Sequence, residues 1–171
     1  YQQAKELEEN VLQLRKEILG EQHPDTILAS ANLASTYCDL GQYQQAKELQ
    51  ENVLQLRKEI LGERHPDTIR ASANLASTYC DLGQYQQAKE LEENVLQLRK
   101  QILGEMHPDT LTSLYSLAVY QSKLGEDAQA LAHAEKAKKS MEEMEYTHKA
   151  YEQCVNLISI ISKRLPAPSI L

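Results

Sequence analysis

Between residues 85 and 103, apolar side chains recur at Ala88, Leu91, Val95, Leu98 and Ile102. Steps of three and four place them in one stripe along a helix. The preceding segment carries a comparable face at Ile69, Leu75, Ala76, Tyr79 and Leu82. The pattern therefore predicts helices over roughly Asp67–Leu82 and Tyr85–Leu103. In the second, Glu90, Glu92 and Glu93 stand early and Arg99 and Lys100 late, an order expected to complement the helix dipole. Neither helix can bury its stripe alone, so the pattern calls for stacking against neighbouring copies.

Those copies are present. Residues 1–42 and 43–84 differ only at Glu8/Gln50, Gln22/Arg64 and Leu28/Arg70. Residues 85–126 keep the opening YQQAKELEENVLQLRK and the HPDT before diverging, and beyond Asp127 the register persists through Ala130, which matches Ala46 and Ala88. All six glycines, Gly20, Gly41, Gly62, Gly83, Gly104 and Gly125, lie 21 residues apart. Glycine adopts the left-handed conformation that ends many helices, so this spacing predicts two helices per 42-residue repeat. Pro24, Pro66 and Pro108 fall where a first helical turn tolerates proline. The H-P-D-T around each is expected to cap that helix, with His or Asp accepting amide hydrogen bonds. The expected organisation is one array over 1–164, made of a half repeat 1–22, repeats 23–64, 65–106 and 107–144, and a capping helix 145–164, followed by an extended tail 165–171.

Composition narrows the function. Apolar residues are 42% of the chain without Phe or Trp, which suits close helix packing. The net charge of −7 opposes sequence-independent nucleic-acid binding, which needs a basic face. No stretch approaches the ~18 apolar residues of a membrane span. Cys38, Cys80 and Cys154 lack metal-type spacing. Cys38 and Cys80 occupy equivalent positions on helices expected ~8–10 Å apart, beyond disulfide reach. Reduced thiols and a cytoplasmic location are expected. His23, His65 and His107 recur once per repeat, too widely spaced for shared metal ligation. No phosphate loop, nucleophile elbow or H-E-x-x-H helix is present. Neither catalysis, a metal nor a cofactor is expected.

The run N-L-A-x-x-Y-x-x-x-G-x-Y-x-x-A at Asn32–Ala46 and Asn74–Ala88 resembles the tetratricopeptide repeat. The closing R-K-x-I-L-G-x-x-H-P-D-T is similar to the 42-residue variety of kinesin light chains and of NB-ARC or NACHT signalling proteins. The resemblance implies an all-α, right-handed superhelical solenoid of helix–turn–helix repeats with a C-terminal capping helix. It implies a concave groove lined by first helices that takes a protein or peptide ligand. Carried over by position, the groove residues are Leu28, Asn32 and Ser35, then Arg70, Asn74 and Ser77, then Thr112, Tyr115, Ser116 and Val119. Asn32 and Asn74 match the family asparagines that hydrogen-bond a peptide backbone. The third repeat departs, with Ser116 in place of that asparagine and Gln121 in place of Tyr37 and Tyr79. Arg70 and Lys123 face Asp39 and Asp81, so the groove is not uniformly basic.

Two ends complete the reading. Tyr151, Cys154, Val155, Ile158 and Ile161 form one face of a terminal helix expected to close the stack. The chain opens in mid-repeat, as expected of a segment of a longer protein, so Ala4, Leu7, Val11, Leu14 and Ile18 are expected to lose part of their cover. Self-association through this edge, or fraying there, follows. A structural spacer or self-associating array is the alternative to a peptide-binding scaffold or sensor.

Overall fold

The computed structural model describes residues 2–144 and 149–165. All described regular elements are helices: α1 (Gln2–Leu19), α2 (Pro24–Asp39), α3 (Tyr43–Leu61), α4 (Pro66–Asp81), α5 (Tyr85–Leu103), α6 (Pro108–Lys123), α7 (Asp127–Glu143) and α8 (Lys149–Ser162). The start of the expected capping helix (145–148) and the end of the expected tail (166–171) lie outside the described residues. The chain divides into two units, Tyr1–Gln84 and Tyr85–Leu171. In the first, α1 packs on α2, α2 on α3 and α3 on α4; in the second, α5 packs on α6, α6 on α7, and α8 on both α7 and α6. Helices that each pack on the next in sequence are the arrangement of a repeat solenoid.

The punctuation works as local chemistry requires. Each of the six glycines takes positive φ, between 70° and 91°, just past a helix. Prolines open α2, α4 and α6, where no amide hydrogen bond is lost. His23, His65 and His107 are the N-caps. Their Nδ1 atoms accept from the amides of Asp25, Asp67 and Asp109 at 3.2, 3.1 and 3.1 Å. A ring nitrogen thus satisfies one of the donors that a helix start leaves open.

Small residues set the spacing. Ala34, Ala46 and Ala76 in the first unit and Ala88, Ala118, Ala130, Ala134 and Ala137 in the second are fully buried, which lets helices approach closely. Leu12, Ala29 and Leu33 form one core cluster. Leu96, Leu111, Leu114, Leu117, Met141 and Cys154 belong to the core of the second unit. All three cysteines are free thiols. Burial pushes the Cys154 thiol up to about 11, so it is a packing residue rather than a nucleophile. Cys154 and Ile161 anchor α8, and Arg164 donates to Ser122 Oγ at 3.1 Å. Val155 stays exposed.

Two expectations need correction. The α5 stripe does not bury evenly. Ala88 and Val95 are buried, Leu91 and Leu98 half-buried, and Ile102 exposed, while Leu96 and Glu92 fill the interior instead. The acidic run does not serve the helix dipole, because no acidic residue lies in the first turn of α5 and Glu92 points inward.

On α1, Leu7, Leu14 and Ile18 are 65%, 55% and 76% exposed, and Ala4 is exposed where its counterparts Ala46 and Ala88 are fully buried. We expect this helix either to exchange its amide hydrogens faster than α5 or to self-associate as concentration rises. Hydrogen exchange with light scattering checks both. A strict monomer whose α1 is as protected as α5 would contradict the expectation.

Candidate functional site

Three repeated side-chain contacts hold the first helices in register. Arg15, Arg57 and Arg99, near the ends of α1, α3 and α5, donate to the backbone carbonyls of Asp25, Asp67 and Asp109 at 2.8, 3.1 and 3.0 Å. Each latches a second helix to the start of the next first helix. Tyr37 donates to Glu9 at 2.6 Å and Tyr79 to Glu51 at 2.9 Å, while Lys5 and Lys47 stand over the same rings at 5.5 and 5.6 Å. Burial and the adjacent carboxylate push both phenols up to about 12. The third repeat replaces this with Gln121, which pairs with His133 Nδ1 at 2.7 Å. Burial, with Lys100 and Lys136 nearby, lowers the His133 pKa.

With those faces engaged, the opposite face of each first helix is left open. Leu28, Asn32 and Ser35 are exposed on α2, and Arg70, Asn74 and Ser77 on α4. They share positions one and two turns apart. The side chains of Asn32 and Asn74 form no hydrogen bond among the described residues, leaving donor and acceptor free. On α6 the corresponding face is less open. Thr112 is exposed, whereas Tyr115, Ser116 and Val119 are half-buried. Tyr115 packs against the core of its unit.

The first unit brings Leu28 and Arg70 together. A cleft of about 240 Å³ opens between the starts of α2 and α4 and the end of α3, lined by Pro24, Asp25, Ile27, Leu28, Arg57, Ile60, Leu61, Asp67 and Arg70. Arg70 pairs with Asp67 at 2.7 Å. A narrower hollow beside it is lined by Ala31, Gln50, Val53, Arg57, Ala71 and Asn74. Arg57 faces both, and its role was not legible from its late position in the helix.

In the second unit the position equivalent to Gln50 is Glu92, 2% exposed. Burial pushes its carboxyl up to about 7, against the opposing effects of a hydrogen bond from Ser113 and the charge of Arg99. No group of three or more potential metal ligands occurs among the described residues. No described helix is long and apolar enough to cross a membrane.

The tetratricopeptide repeat family profile matches residues 27–101 and 71–143, and a second profile of the same description matches residues 1–25. Two crystal structures of nearly identical TPR-like repeats from Podosopora anserina, described there as of kinesin light chain type, are similar over 95% of this chain and 77% of theirs. They share 28% identity, with TM-scores of 0.84 for a single-substitution variant and 0.83 for the other. BtubC (BKLC) from P. vanneervenii shares the fold at 18% identity and TM-score 0.70, over 99% of this chain and 78% of its own. No curated protein matches the chain significantly. The chain belongs to the tetratricopeptide repeat family, whose repeats generally mediate protein–protein interactions.

Proposed function

We propose that this chain is a peptide-binding scaffold or sensor module that uses the open faces of its first helices. One observation carries the reading. Asn32 and Asn74 recur in the same register on α2 and α4, exposed, with unengaged amides that neither cap a helix nor fill the core. An amide side chain offers both a donor and an acceptor, which matches the backbone of an extended peptide. Alternating exposed hydroxyls at Ser35 and Ser77 and the larger Leu28 and Arg70 supply side-chain selectivity around them.

The test is calorimetric titration of peptides selected from a library, against the parent chain and two variants. Asn74→Ala and Arg70→Glu are each expected to weaken binding about tenfold, with stability changed by no more than about 0.5 kcal/mol. If both variants stay folded and bind as the parent does, the first-helix face is not the site.

A further inference from the structure

Two of the three differences between residues 43–84 and residues 1–42 converge on one spot. Arg70 replaces Leu28, and Gln50 replaces Glu8. One change adds a guanidinium and the other removes a carboxylate, so both make the surroundings of Arg57 more positive. Arg57 is only 7% exposed and lines both the cleft and the hollow beside it. It donates to the carbonyl of Asp67 but enters no ion pair among the described residues.

Its counterpart Arg99 has two further polar neighbours. Arg99 donates to Ser113 Oγ at 2.7 Å, and its charge acts on the buried Glu92 carboxyl. Around Arg57 those two places are taken by Ala71 and the uncharged Gln50. Burial lowers the Arg57 pKa; the Asp67 charge opposes this and Arg70 adds to it. A buried cation without its own anion is costly, and an arriving anion recovers part of that cost. Asp67 is already engaged by Arg70, and the Asp25 side chain is 60% exposed to water.

The rest of the cleft is hydrocarbon, from Ile27, Leu28, Ile60 and Leu61. Its 240 Å³ lies below the roughly 300–1,000 Å³ of pockets for drug-sized ligands. It suits a single branched aliphatic group. We infer that the cleft binds an aliphatic carboxylate, its hydrocarbon against Leu28, Ile60 and Leu61 and its carboxylate on Arg57 and Arg70. The carboxylate arrives as a free short-chain acid, whose single hydrocarbon group matches the size of the cleft. Inorganic phosphate would leave the apolar wall unmatched. This site does not depend on Asn32 and Asn74 reading an extended backbone.

Amide-resolved magnetic resonance of the full chain, titrated with 4-methylpentanoate and with N-acetyl-leucine, tests it. The uncharged comparators are 4-methylpentanamide and N-acetyl-leucinamide. Saturable shifts are expected at Leu28, Ile60, Leu61 and Arg70, with the acids binding about tenfold more tightly than the amides. Arg70→Leu and Gln50→Glu restore residues that the chain already carries at the same register, and the titrations are run above about pH 8, where a carboxyl buried as Glu92 is, with its value of about 7, is ionised. Each variant should weaken the acids about tenfold without changing the weak binding of the amides. Preference for 4-methylpentanoate over N-acetyl-leucine is expected of a free acid, and equal or tighter binding of N-acetyl-leucine would overturn it. Equal binding of acids and amides, shifts confined to other helices, unchanged affinity in both variants, or no saturable shift would each overturn the inference. Failure of the library peptides or of Asn74→Ala would leave this result standing, so the two readings fail separately.

Discussion

Glu92→Gln is expected to stabilise the α5–α6 pair by about 2–3 kcal/mol at pH 8 and to change little at pH 4. The carboxyl of Glu92 has an ordinary value of 4.5 in the open chain and about 7 in the folded one. The folded state therefore prefers its protonated form. Stability associated with this residue is fully present below pH 4.5 and is lost as pH rises through 7. Glutamine keeps the shape, removes the charge and should flatten that dependence. The chain supplies its own precedent, since Gln50 occupies the equivalent buried position. His133 in the same unit titrates with the opposite sign, because its lowered pKa makes stability fall with acidification. The difference between parent and variant cancels that contribution. Urea unfolding at several pH values, with hydrogen exchange of α5 and α6, provides the measurement. Identical pH slopes for the two proteins would show that Glu92 is not desolvated as described.

Gly62→Ala is expected to cost about 2 kcal/mol through backbone strain alone. The residue closes α3 at φ 84° and ψ 163°, a region that only glycine occupies without penalty. A Cβ there would meet no atom within 4 Å, so crowding contributes nothing. The two causes can be separated. D-alanine, installed by peptide ligation, also adds one methyl group, on the other side of Cα, and has the mirror-image conformational map. It should retain parental stability in urea unfolding, while L-alanine does not. Equal loss of stability with both enantiomers would show that the handedness of the backbone conformation is not the cause.

The helix ends were legible because they depend on local chemistry. Glycine at a positive φ, proline in a first turn and a histidine two residues before the amide that it accepts all act over a few positions. Glu92 was not legible as part of the run Glu90, Glu92, Glu93, since three adjacent glutamates look alike until a neighbouring helix covers one of them. A signal was nevertheless present. Ala88, Glu92, Val95, Leu96 and Arg99 lie on one helical face, and a carboxylate between buried alanine and valine is a candidate for burial. The cleft drew on three helices, beyond the reach of any periodicity. Its clue lay in repeat-to-repeat substitution, because two of the three positions at which residues 43–84 depart from residues 1–42 are Gln50 and Arg70. Thr112, Tyr115, Ser116 and Val119 were placed by position in the repeat. That reasoning could not see Tyr115 turning toward its core, which depends on the divergent residues of α7 and α8.

The arginine latch has a consequence for how such a chain can change length. Its acceptor is a backbone carbonyl ten residues away, and the tyrosine–glutamate contact spans 28 residues. Neither reaches across a full 42-residue period, and the latch acceptor is indifferent to side-chain identity. Excising residues 43–84 would join Gln42 to Tyr85, which begins the same YQQAKEL that follows Gln42 now. The fasteners are thus copied with the segment that they fasten. Gain or loss of a whole period, the ordinary product of misaligned recombination between near-identical stretches of gene, leaves no orphaned half of either contact.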